Sequence, residues 1–120
     1  MDNKSFFVTF KKRLYSFTLT LLKEIDTLPK DNVSRRLGDQ LIRSGTSIIA
    51  NFVEGRAASS RKDFINYLNI SLKSSNESKL WISLLKDTGK LDNNASEKLL
   101  NELKEISNII AKSIITLRGK

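Results

Sequence analysis

Apolar residues recur at spacings of three and four along almost the whole chain, the period of a helix face. The pattern breaks only around Leu28-Pro29, between Gly55 and Ser60, and between Gly89 and Asn93. Helix one, about residues 4–27, aligns Phe6, Phe10, Leu14, Phe17, Leu21 and Ile25. It ends at Leu28-Pro29, because the residue before a proline is pushed out of the helical region. Asp31 or Asn32 caps helix two, about residues 32–54, and Gly55 supplies a left-handed stop. Ser60 with Asp63 resembles a capping box that opens helix three, about residues 61–87. Gly89 closes that helix, and Asp92 or Asn93 opens helix four, about residues 93–117, with the seam Leu99, Leu103, Ile106, Ile110, Ile114 and Leu117. Helices of these lengths would span about 33 to 40 Å each. Short connections make consecutive helices antiparallel, so the expectation is an all-α, up-down-up-down four-helix bundle with residues 1–120 as a single domain.

Helix two carries more than a bundle needs. At about 100° per residue, Leu37, Leu41, Ile48 and Phe52 share one arc and Ile42, Ile49 and Val53 share another. One stripe suffices for a monomer, so the second predicts a surface buried by another copy, with Val8, Tyr15, Leu19 and Leu22 of helix one as a candidate complement. Beside the stripes runs the polar row Arg36, Gln40, Arg43, Ser47, Asn51 and Glu54. Three readings are open for it: a buried network fixing helix register and subunit geometry, a solvated face, or a ligand site. Helix three has small residues in the middle of its face, at Ser71, Ser75 and Ser78. Close approach by a neighbouring helix would explain them, with Ser44 and Gly45 of helix two as the expected partners.

Composition narrows the chemistry. A 120-residue chain is long enough for one core, and 5 Gly with 1 Pro leave little punctuation for a sandwich or barrel. Histidine and cysteine are absent, which removes disulfides, imidazole or thiolate metal sites, cysteine nucleophiles and any side chain that titrates near neutrality unperturbed. The 13 acidic residues are scattered, and no glycine loop suited to phosphate occurs. No catalytic set, metal site or cofactor is expected. No apolar run reaches the roughly 18 residues of a membrane span, and the N-terminal stretch lacks the features of a signal peptide, so a cytoplasmic protein without membrane contact is expected.

Charge adds a candidate partner. The net charge is +8, and residues 1–30 and 61–90 each hold 6 basic against 3 acidic residues. Lys11, Lys12, Arg13 and Lys23 on helix one, with Arg56, Arg61, Lys62, Lys73 and Lys79 on or before helix three, form a candidate polyanion-binding surface, weighed against ordinary solvation of basic helix faces. The phenylalanines sit on apolar seams and read as core. Trp81 offers either a stacking platform or packing at a subunit boundary.

The residues Gln40, Arg43, Ser44, Ser47, Ile48, Ala50, Asn51, Glu54 and Gly55, in the order Q-x-x-R-S-x-x-S-I-x-A-N-x-x-E-G, resemble the signature of four-helix-bundle proteins encoded by intervening sequences in bacterial large-subunit ribosomal RNA genes. The resemblance extends to Leu28-Pro29, Asp63-Phe64 and Tyr67-Leu68, and more weakly to Ser74 and Glu77. Arg56-Ala57 stands where an aromatic-Gly pair is common, and Lys73 where a small residue is usual. The resemblance implies a homopentameric ring, a relationship to accessory proteins of retroelements that work with a reverse transcriptase and RNA, and no established catalytic activity. Two functions follow as expectations: a non-enzymatic basic homo-oligomer that binds RNA or another nucleic acid, or a protein-interaction scaffold, such as an accessory subunit for a polymerase-type partner.

Overall fold

The structure, a computed structural model, describes residues 3–119. The described residues form four α-helices and no strand: α1 (Asn3–Ile25), α2 (Asn32–Arg56), α3 (Arg61–Asp87) and α4 (Asn93–Arg118). They pack into an elongated body of 47 × 22 × 19 Å around one apolar core. α2 lies against α1 and α3, and α4 against α3 and α1.

The helix starts follow from capping chemistry. The Asp31 carboxylate accepts the Ser34 amide at 2.9 Å and its hydroxyl at 3.0 Å. Ser60 accepts the Asp63 amide at 3.1 Å, and Asp92 accepts the Ala95 amide at 2.9 Å. Each satisfies an amide that the first helical turn leaves without a partner. Of the two cap candidates at each place, Asp31 and Asp92 are the ones used. At the far end of α3, Gly89 takes a left-handed φ of +72°, and the amides of Lys90 and Leu91 return to the Leu85 carbonyl at 2.9 and 3.1 Å.

Two helix ends differ from the sequence expectation. α1 stops at Ile25, and Asp26 to Asp31 reverse the chain through a turn that includes Pro29. α2 passes through Gly55 and stops at Arg56, so Gly55 is helical and buried. Its role is contact: a Cβ there would lie 2.9 Å from both the Phe64 ring and the Tyr67 Cβ of α3.

The core follows the apolar seams of the helices, with Phe6, Ile25, Leu37 and Leu117 half-buried at its margin. Phe10, Leu14, Phe17 and Leu21 of α1, Leu41, Ile48 and Phe52 of α2, Leu68 and Ile82 of α3, and Leu99, Leu103, Ile106, Ile110 and Ile114 of α4 are buried, joined by Leu85 and Leu91. Each such side chain contributes about 1.5–3 kcal/mol on leaving water. Gly45 corrects a second expectation. It faces α1, where the Leu21 side chain occupies the space a Cβ would need, while its neighbour Ser44 faces α3.

Candidate nucleic-acid interface and polar seam

Consecutive residues on a helix point about 100° apart, so the run Lys11, Lys12, Arg13 sends its charges in three directions. Lys11, Lys12 and Lys23 are exposed on α1. Arg13 is tied to α4: its Nε and Nη2 donate to the two carboxylate oxygens of Glu102 at 2.8 Å each, a forked pair that raises the guanidinium pKa above its ordinary value. Lys73 is exposed on α3. Lys79 is half-buried, donates to Asn76 at 3.3 Å, and has its pKa lowered first by burial and then by Lys104 of α4. Lys12 and Lys23 fall on one side of α1, about 20° apart, whereas Lys11 and Arg13 point elsewhere.

The other three converge. Arg56 ends α2, and Arg61 and Lys62 begin α3, so the short connection places all three at one end of the bundle. Lys112 and Arg118 of α4 join them: Arg56, Arg61 and Lys112 line one cavity there, and Arg61, Lys62 and Arg118 line a neighbouring one. Neither cavity is lined by Asp or Glu among the described residues. The Arg56 guanidinium lies 5.2 Å from the centre of the Phe7 ring, close enough for a cation-π contact. Lys112 and Arg118 escaped the sequence reading because the charges of the last quarter of the chain are near balance, and only the fold brings the last turns of α4 beside the α2–α3 connection.

The polar row of α2 divides. Ser47 and Asn51 are half-buried: Asn51 Nδ2 donates to the Ser47 carbonyl at 2.9 Å and to its hydroxyl at 2.8 Å, and Ser74 of α3 donates to the same hydroxyl at 2.9 Å. Arg36, Gln40, Arg43 and Glu54 are exposed in the single chain. Serines that the sequence marked only as small extend the seam. Ser44 and Ser78 share a hydrogen bond of 2.8 Å, Ser71 donates to the Ile48 carbonyl at 2.8 Å, and Ser75 meets Ser107 of α4 at 2.6 Å. Small side chains let the helices approach, and each hydroxyl then finds a partner across the contact.

The second apolar stripe is incompletely covered. Ile42 is exposed, Ile49 and Val53 are half-buried, and Val8, Tyr15 and Leu19 of α1 are exposed. On α3, Ile70, Leu80 and Leu84 are also exposed, and the neighbouring Trp81 holds a buried indole Nε1 with no hydrogen-bond partner among the described residues. No described helix is long and apolar enough to cross a membrane.

Residues 9–112 match the family described as the 23S rRNA-intervening sequence protein. The chain belongs to that family. A crystal structure of a protein of unknown function from the S23 ribosomal protein family of Bacteroides thetaiotaomicron is 36% identical, covers 87% of this chain and 96% of its own, and superposes with a TM-score of 0.81. No curated protein matches the chain. Membership of the intervening-sequence family agrees with the resemblance carried by the Gln40 to Gly55 block.

Proposed function

We propose that this intervening-sequence family member is a non-enzymatic, cytoplasmic, self-associating four-helix bundle of up-down-up-down topology that binds RNA through the cationic end formed by Arg56, Arg61, Lys62, Lys112 and Arg118. The observation that carries the reading is the convergence of these residues around cavities that no described carboxylate lines. The short links between helices support the alternating topology, as does the contact between Lys90, in the α3–α4 turn, and Asp31 at the start of α2. Self-association, as a pentamer by family resemblance, accounts for exposed apolar side chains on α1 and α2, and repeating the cationic end in each copy strengthens the field felt by a polyanion. Fluorescence polarisation with a structured RNA tests the binding. About five phosphate contacts imply that affinity falls roughly 100- to 500-fold between about 50 and 200 mM salt. Charge reversal at Lys62 and Lys112 lowers the logarithmic salt slope by about two out of roughly 4.5. Absence of binding at the low-salt end overturns the proposal.

The exposed Ile70, Leu80 and Leu84 of α3 favour a second reading, a scaffold for a protein such as a polymerase-type partner. Co-purification from the native cell separates the two. A protein that stays bound after nuclease treatment supports the scaffold, and one lost on treatment supports RNA.

A further inference from the structure

At the cationic end the helices part around a cavity of about 760 Å³, within the range of roughly 300–1,000 Å³ typical of small-molecule sites. Its wall is aromatic. Phe10 and Phe52 are buried and meet edge to face with ring centres 5.1 Å apart, and Phe7 stacks on Phe52 at 4.9 Å. Its rim is cationic, with Arg56, Arg61 and Lys112. The Arg56 guanidinium sits where rim meets wall, over the Phe7 ring. An apolar wall under a cationic rim complements a molecule with one hydrocarbon end and one negative end. A nucleic acid engages the rim and leaves the wall unfilled, whereas a neutral apolar compound fills the wall and forgoes the rim.

We propose that this cavity binds a medium-chain carboxylate, with its tail among the phenylalanines and its carboxylate at Arg56 and Lys112. The test is calorimetric titration of the full chain with hexanoate, octanoate, decanoate and dodecanoate, each below its micelle concentration. Binding is saturable, and affinity rises about fourfold per added methylene, the equivalent of about 0.8 kcal/mol per buried CH₂, until the cavity is full. Decanoate binds at least tenfold more tightly than decanol. The double variant R56Q/K112Q loses about tenfold for decanoate and leaves decanol unchanged, because only the carboxylate uses the charge-assisted contacts.

Ile109→Trp, which fills the cavity from α4, abolishes binding of both. Thr116→Phe, at the exposed mouth, serves as the blocking variant if the first loses helicity by circular dichroism. No saturable binding, an affinity flat along the carboxylate series, or binding unaffected by a folded blocking variant overturns the proposal. RNA binding has no dependence on chain length, so failure here leaves the polyanion reading intact and the converse also holds.

Discussion

Replacing Gly55 by alanine pits helix propensity against packing. Alanine in a helix interior is favoured over glycine by up to about 1 kcal/mol. The new Cβ would lie 2.9 Å from the Phe64 Cδ1 and 2.9 Å from the Tyr67 Cβ. The Phe64 ring can turn aside, but the Tyr67 Cβ moves only with the α3 backbone, which Ser71 and Ser74 hold to α2 through hydrogen bonds. Overpacking costs about 1–3 kcal/mol, and a neighbour this stiff puts the cost in the upper part of that range. The net result is a loss of about 1–2 kcal/mol, equivalent to a fall of roughly 4–8 °C in Tm for a domain of this size.

Urea unfolding followed by circular dichroism measures it, and asparagine sharpens the test. A glycine that served as a left-handed stop would tolerate asparagine, whereas a glycine pressed between two aromatic residues tolerates it less well than alanine. Gly89 is the internal control, since its φ is +72° and nothing lies within 4 Å of a Cβ there. The expected order is therefore alanine above asparagine at Gly55 and asparagine above alanine at Gly89. A Gly55→Ala protein about 1 kcal/mol more stable than the parent, the propensity gain alone, would refute the close contact of α2 and α3.

Three further outcomes follow. Ser78→Ala leaves the Ser44 hydroxyl with only the Leu41 carbonyl at 3.4 Å, which costs about 1–3 kcal/mol; the double variant with Ser44→Ala loses less than the sum, and simple additivity in the cycle would contradict the pairing. The Asp31 carboxyl is held below its ordinary value of 3.8 chiefly by the Ser34 amide, aided by the Ser34 hydroxyl and Lys90. A depressed folded pKa means that this stabilisation is present above the unfolded value and lost as pH falls through the folded one. The stability gap between the parent and Asp31→Ala therefore narrows on acidification below about pH 4, and a gap that stays constant with pH would count against the ionised cap. Asn51→Ala removes a bond to the Ser47 carbonyl and another to its hydroxyl; if that network fixes subunit geometry, light scattering shows weaker assembly, and unchanged mass with unchanged Tm would eliminate that role.

The helices were legible because their signals are local. Asp31, Ser60 and Asp92 each precede an apolar repeat, and a cap works within three residues of itself. Gly55 shows where local signals fail: a stop and a close contact call for the same residue, and the difference lies in Phe64 and Tyr67 on another helix. Gly45 failed similarly, since the small residues of helix three pointed to it and only packing shows that it faces Leu21 of α1. The row from Gln40 to Glu54 was visible as a periodicity, yet the partners of Ser47 and Asn51 depend on how α3 lies alongside. Charge density along the chain singled out Lys11, Lys12 and Arg13, which diverge, and overlooked Lys112, which the fold brings to the cavity of Arg56, and Arg118, which it brings to that of Arg61 and Lys62.

The hydroxyl pairs between α2 and α3 engage at successive turns, so sliding one helix by a single residue would disengage Ser44, Ser47 and Ser71 together. The two helices thus behave as meshed teeth. α1 is held mainly by aliphatic and aromatic contacts, with Leu21 seated over Gly45, and by a forked ion pair to Glu102, without a matching ladder of hydroxyl pairs among the described hydrogen bonds. Breathing of the domain is therefore expected as a swing of α1 against a rigid rack, and amide exchange along α1 should run ahead of exchange in the middle of α3.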